Sequence, residues 1–211
     1  MPNPEPAPPN RGALSNPAGR YELLSYEPDP DSDLDPAEEP VRRTQYLRDA
    51  SVSVISRNES PDIPFRASLN PYRGCEHGCV YCYARPTHEY LGFSAGLDFE
   101  SRILVKERAP ELLREELSRP SWEPEWLALS GVTDPYQPIE RRLGITRRCL
   151  EVLVEFRNPV GIVTKNQLVT RDLDLLGELA RFKAARVAVS ITTLDPALRR
   201  VLESRTSPPA A

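Results

Sequence analysis

Cysteine is scarce in this chain: its 211 residues include four, beside two histidines, one methionine and two tryptophans. So few thiols exclude the dense disulfide framework of a small secreted protein. No apolar run approaches the roughly 18 residues that a membrane helix needs, so no transmembrane segment is expected. The opening "MPNPEPAPPNRGALSNPAG" has neither a basic n-region nor an apolar h-region, so no secretory signal is expected. Positive charge is not in excess: 27 Lys and Arg face 31 Asp and Glu, for a net charge of −4. That balance argues against a broad nucleic-acid-binding surface and leaves room only for a local basic groove. The expectation is a soluble cytoplasmic protein without membrane attachment.

Proline, by contrast, is plentiful, with 23 residues. Many fall in residues 1–40, followed there by the acidic block "EPDPDSDLDPAEEP". With few large apolar side chains to offset ordering entropy, residues 1–40 are expected to form a disordered leader. Residues 41–64 are expected to form an extended arm, in which "SVSVI" is a candidate edge strand. Residues 65–211 are read as the folded core. There, "FRASLN" predicts a strand that leads straight into the cysteine loop. "APELLREELSR" (109–119) predicts a helix and "EWLALSG" (125–131) a buried strand. "ITRRCLEVLVEFR" (145–157) predicts an amphipathic helix capped by Thr146. A strand at 159–165, a helix at 171–182, a strand at 185–192 and a helix at 195–204 follow, the last capped by Asp195 with Pro196 in its first turn. Four alternating strand–helix units predict an α/β fold with a parallel sheet, doubly wound or barrel-like, and with its chemistry at the strand C-termini.

Three of the four cysteines lie within eight residues, in "NPYRGCEHGCVYC", as Cys75, Cys79 and Cys82. Thiolates favour zinc, copper(I) and iron–sulfur clusters. A zinc site on these three and His77 requires very tight chelate loops, because His77 lies two residues from both Cys75 and Cys79. A [4Fe–4S] cluster normally takes four thiolates, so three leave one iron open to a substrate or cosubstrate. Gly74 and Gly78 let the backbone fold closely around a bulky group. Cys149 shares a helix face with Ile145 and Leu153 and reads as a core thiol. His77 and His88 receive no role. Arg141, Arg142, Arg147 and Arg148 read as a solvated helix start rather than a phosphate contact.

"CEHGCVYC", with Tyr81 before its third cysteine, resembles the C-x3-C-x2-C signature of the radical S-adenosylmethionine (SAM) enzymes. The pieces "SLNPYRGCEHGCVYCYARPTHEYLG", "LDFESRILVKE", "LSGVTDPYQPIE", "VTKN" and "VSITT" resemble the spore photoproduct lyase-like branch, also described as DNA repair photolyase-like, over residues 42–211. The resemblance implies a partial (β/α) barrel of the radical SAM type, with about four β/α units present and further units expected beyond this C-terminus. It implies a [4Fe–4S] cluster on Cys75, Cys79 and Cys82, and SAM as cosubstrate. It places Tyr81 near the adenine, Thr133 and Asp134 at the SAM amino group or ribose, Lys165 at the SAM carboxylate, and Ser190 at a ribose hydroxyl or the carboxylate. A one-electron donor such as flavodoxin or ferredoxin is implied as partner. The substrate stays open, with a nucleic-acid lesion as one class. The alternative function is a catalytically impaired, truncated iron–sulfur or zinc module.

Overall fold

The computed structural model describes residues 10–21 and 43–210. Its strands and helices run β1 (Gln45–Arg48), β2 (Ile55–Arg57), β3 (Ala67–Leu69), β4 (Tyr72–Arg73), α1 (Leu97–Ser101), β5 (Arg102–Val105), α2 (Ala109–Leu117), β6 (Leu127–Leu129), α3 (Glu140–Leu143), α4 (Ile145–Glu155), β7 (Val160–Thr164), α5 (Leu173–Ala180), β8 (Ala185–Val189) and α6 (Pro196–Leu202). Among the described residues there are also 3-10 helices at Arg85–Leu91 and Gln167–Asp172.

The principal sheet has the order β2-β3-β6-β7-β8. Strands β3, β6, β7 and β8 are parallel, and β2 pairs antiparallel on β3 as an edge, sharing only Ile55 with the candidate strand "SVSVI". The four predicted units are present as β3–α2, β6–α4, β7–α5 and β8–α6. The sheet is open, with β2 and β8 at its edges. Helix α4 packs between α2 and α5, and the α5 helix also contacts β8. Leu69, Leu129, Val160 and Ile162 from the strands meet Leu113, Leu150, Leu153 and Leu179 from the helices in one buried core. This is the one-sided burial that amphipathic helices on a parallel sheet require. Cys149 is fully buried in that core and is a free thiol, as its helix position predicted.

A second, smaller sheet was not foreseen. Strand β5 pairs parallel with β1 and antiparallel with the two-residue β4. The arm therefore serves two sheets, β1 in this one and β2 in the other. Strand β4 runs directly into Gly74 and Cys75, so the small sheet fixes one entrance of the cysteine loop.

Residues 10–21, within the span expected to form a leader, are described and touch the core. Leu97 N donates to Ser15 O at 3.2 Å, Asn16 exchanges hydrogen bonds with Asp98, and Arg20 pairs with Glu89 at 2.6 Å. The segment is fastened by backbone groups and polar pairs, with the Tyr21 ring 5.3 Å from that of Tyr90. The rest of the predicted leader lies outside the described residues.

Helix α4 is not capped by Thr146, whose hydroxyl instead donates to Pro135 O at 2.6 Å. The fully buried Glu140 carboxylate takes the first-turn N–H groups of Thr146 and Arg147, at 3.0 and 3.3 Å. It also accepts from Tyr72 Oη at 2.5 Å and pairs with Arg171 at 2.7 Å. A carboxylate at a helix N-terminus satisfies orphan donors and complements the dipole. Arg147 is likewise not simply solvated: it pairs with Asp172 at 3.0 Å and Asp174 at 2.7 Å. Arg141, Arg142 and Arg148 are exposed, as expected. Asp195 caps α6 as predicted, accepting from Ala197 N and Leu198 N. The helix expected at 171–182 starts at Leu173, because Asn166 caps a preceding 3-10 turn through Leu168 N.

Candidate functional site

The loops at the C-terminal ends of β3, β6, β7 and β8 converge, because parallel strands deliver all those ends to one edge of the sheet. The cysteine loop follows β3 and β4. Cys75 and Cys79 are buried, Cys82 is half-buried, and all three are free thiols. Gly74 (φ 79°) and Gly78 (φ 64°) adopt left-handed conformations that side chains resist.

Nearly every turn of this loop is held from outside. Cys75 N donates to Phe99 O at 2.9 Å. Gly74 O accepts from the Thr133 hydroxyl at 2.6 Å and from Gln137 Nε2 at 3.2 Å. Gln137 also accepts Glu76 N at 3.0 Å, so one fully buried amide grips the loop on both sides of Cys75. The buried Glu76 carboxylate accepts from Tyr46 Oη at 2.7 Å and Ile139 N at 3.1 Å. Cys79 O accepts from Arg85 Nε and Nη2 at 3.1 and 2.9 Å.

His77, only 1% exposed, sets its Nδ1 3.2 Å from Asp134 Oδ2 and its Nε2 3.2 Å from Asn166 Nδ2. Burial works against a charged ring, but the Asp134 carboxylate and the Cys75 sulfur raise the His77 pKa to about 10. Asp134 is filled by its own surroundings. It accepts from Tyr136 N (2.8 Å), Thr164 Oγ1 (2.7 Å) and Lys165 N (2.8 Å) besides meeting His77. Burial disfavours its charge, yet His77 and these donors hold its pKa below the ordinary value. The Thr133 and Asp134 side chains thus brace the cysteine loop and the end of β7.

Lys165 and Ser190, at the ends of β7 and β8, are brought together: Lys165 Nζ donates to Ser190 Oγ at 2.8 Å. The ammonium also lies over the Tyr81 ring, 5.6 Å from its centroid. Two residues that sequence reasoning did not single out complete the group. Thr192 Oγ1 is 3.2 Å from Lys165 Nζ and 2.8 Å from Tyr81 Oη. Glu203 pairs with Lys165 at 2.7 Å and accepts from Thr192 at 2.6 Å and from Tyr81 Oη. The Glu203 segment reaches the loop as an extra antiparallel bridge to Cys79, with Val80 N donating to Leu202 O and Arg205 N to His77 O. A cleft of about 70 Å³ lies beside this group, lined by Lys165, Ser190, Thr193, Arg199 and Glu203 among others. The signal for Glu203 in sequence is a lone acid after a helix, a type that is usually solvated.

Among the described residues, no group of three or more His, Cys, Asp or Glu converges as ligands on a single ion. His77, the fourth ligand a zinc site needs, spends both ring nitrogens on Asp134 and Asn166. A cluster makes no such demand, since each thiolate meets a different iron. Burial pushes the Cys79 thiol well above the ordinary value, with Cys75 and Glu203 adding to the rise and Lys165 opposing it. Burial also raises Cys82. As thiolates these buried sulfurs would repel one another and need a cationic group beside them, and as soft donors they fit an iron–sulfur cluster.

Comparison with known proteins gives the family. The family model described as the radical SAM superfamily matches residues 69–210. The uncharacterized protein Rv2578c of Mycobacterium tuberculosis is 46% identical over 149 residues, covering 71% of this chain and 44% of that protein. The uncharacterized protein MJ0683 of Methanocaldococcus jannaschii is 30% identical over 135 residues, covering 64% and 48%. The chain therefore spans less than half the length of these relatives. Among solved structures, spore photoproduct lyase complexed with dinucleoside spore photoproduct aligns with a TM-score of 0.50 and 16% identity, over 78% of this chain and 44% of that one. A mutant of the same enzyme with that ligand aligns equally well. At this identity the likeness speaks to the fold. With its parallel sheet and its cysteine loop at the strand C-termini, the chain belongs to the radical SAM superfamily.

Proposed function

We propose that Cys75, Cys79 and Cys82 hold a [4Fe–4S] cluster and that the chain binds SAM beside it. The cluster, when bound, supplies the single electron that cleaves SAM reductively to methionine and a 5′-deoxyadenosyl radical. The observation that carries this reading is the three-thiol loop, gripped by buried partners and set next to Lys165 and Ser190.

Lys165 and Ser190 are the groups for the SAM carboxylate, an ammonium and a hydroxyl already 2.8 Å apart. Tyr81, 49% exposed, offers its ring on the adenine side. Thr133 and Asp134 act toward SAM by holding Gly74 O, His77 and Lys165 N in place. A one-electron donor such as flavodoxin or ferredoxin is the partner this chemistry needs. A lyase-like reaction on a nucleic-acid lesion is the substrate class the fold invites, and the whole enzyme's substrate is a matter for the longer relatives. No helix of the described residues is long and apolar enough to cross a membrane.

Anaerobic reconstitution with iron and sulfide tests the reading. About four irons and four sulfides per chain are expected, followed by 5′-deoxyadenosine on addition of SAM and a reductant. Failure to take up sulfide overturns the cluster. A second reading, a cluster-binding module without turnover, is favoured by Glu203, whose carboxylate already occupies Lys165, Thr192 and Tyr81. Cluster uptake without 5′-deoxyadenosine selects it.

A further inference from the structure

The buried carboxylate of Glu100, on α1, links the cysteine loop to the N-terminal segment. It accepts from Gly12 N at 2.9 Å, Ala13 N at 2.8 Å and Arg85 Nη2 at 2.5 Å. Arg85 is the same guanidinium that donates twice to Cys79 O. The pieces are in direct backbone contact. A Cβ on Gly12 would lie 1.9 Å from Gly78 O, and one on Gly78 would lie 2.7 Å from Glu100 Oε2. Farther along, Asn16 Nδ2 donates to Asp98 Oδ1 at 2.9 Å and Asn16 Oδ1 accepts Asp98 N at 2.8 Å. At the near end, Ser204 Oγ donates to Asn10 O at 3.2 Å, tying in the chain after α6.

We infer that residues 10–17 are a strap closing the outer wall of the cysteine loop, with Glu100 as the positioning residue through which the strap holds Cys79. The strap supplies two of the donors that this fully buried carboxylate takes. Without them a buried charge loses partners, and Arg85 loses the fixed acceptor that aims it at Cys79 O. A Cβ at Gly12 meets backbone, which cannot yield as the end of a side chain does. Ordering the loop before a cluster binds lowers the cost of assembly and slows escape. The inference rests on the reading of Cys79 as a cluster ligand.

The test uses four variants of the full chain. Gly12→Ala drives a methyl into Gly78 O, and Asn16→Ala unfastens the far end of the strap without a clash. Glu100→Gln presents an amide where N–H donors need two acceptor oxygens, and Gly177→Ala, in open space on α5, is the control. In the metal-free protein, amide hydrogen exchange across residues 75–83 is expected to accelerate about tenfold in the first three, the equivalent of one lost hydrogen bond. Exchange across α4 and Gly177→Ala should match wild type. In the reconstituted protein, chelators should strip iron faster by a similar factor, and Glu100→Gln should alter the electron paramagnetic resonance spectrum of the reduced cluster. Unchanged loop exchange in Gly12→Ala and Asn16→Ala overturns the strap, as does an equal effect from Gly177→Ala. If Gly12→Ala does not fold, Asn16→Ala decides. If wild type takes up no iron and sulfide, the cluster reading falls, while exchange in the metal-free chain still decides the strap.

Discussion

His77 Nδ1 lies 3.2 Å from Asp134 Oδ2 with both side chains at least nine-tenths buried, one from within the cysteine loop and the other from the loop after β6. The pair locks two strand ends together beneath the cysteines. Asp134→Asn leaves His77 without its counter-charge in a dry site, and losing one member of such a pair costs about 3–5 kcal/mol. The expected result is a lower denaturation midpoint together with reduced iron and sulfide uptake. A variant with wild-type stability would refute the bracing role.

The carboxylate of Glu203 neutralises Lys165 and takes up Thr192. Burial opposes the charges of both partners, yet their pairing lowers the Glu203 pKa and raises that of Lys165. On the proposed reading, in which Lys165 takes the SAM carboxylate, SAM shares or displaces that contact. Glu203→Gln is therefore expected to tighten SAM binding to the reconstituted chain about three- to tenfold, read by equilibrium dialysis. Weaker binding would mean that Glu203 belongs to the SAM site itself.

His88 is fully buried, with Nε2 3.0 Å from Arg102 O and its ring edge-on to Phe99. Burial lowers its pKa from 6.5 to about 4. The unfolded chain therefore binds the proton first as pH falls. The stabilising contribution is complete above pH 6.5 and is lost as pH falls through about 4, a change of about 3 kcal/mol in all. Urea unfolding of the metal-free chain between pH 7 and 4 should show this slope. His88→Gln, which keeps a donor for Arg102 O, should flatten it.

The cysteines should separate cleanly by role. Cys79→Ala is expected to abolish stoichiometric iron and sulfide binding. Cys149→Ala should retain both, while lowering stability by about 1 kcal/mol for the small cavity left in the core. Iron analysis beside urea unfolding measures both outcomes. Iron loss in Cys149→Ala at intact stability would assign that thiol to the cluster.

Much of the principal sheet was legible in the sequence. Apolar runs ending in polar loops located β3, β6, β7 and β8 within a few residues, and Asp195–Pro196 correctly marked the start of α6. The small sheet was not, because β4 has two residues and β1 is largely exposed, so neither carries a periodic pattern. The cap of α4 was misassigned because the Glu140 carboxylate, from the preceding short helix, reaches its first turn ahead of the local hydroxyl.

The sequence by itself determined the alternation of strands and helices, the burial of Cys149 and the crowding of three thiols in one glycine-bearing loop. These depend on neighbours a few residues apart, through side-chain period and loop spacing. Only the tertiary structure decided what grips that loop: Gln137 on both sides of Cys75, Asp134 on His77, Glu203 on Lys165, and the N-terminal strap on Glu100. Apart from Asp134 and Gln137, which share the loop after β6, the partners come from different parts of the chain. The parallel sheet and its crossovers bring them to one edge, and isolated polar residues in loops carry no local signal of where they will meet.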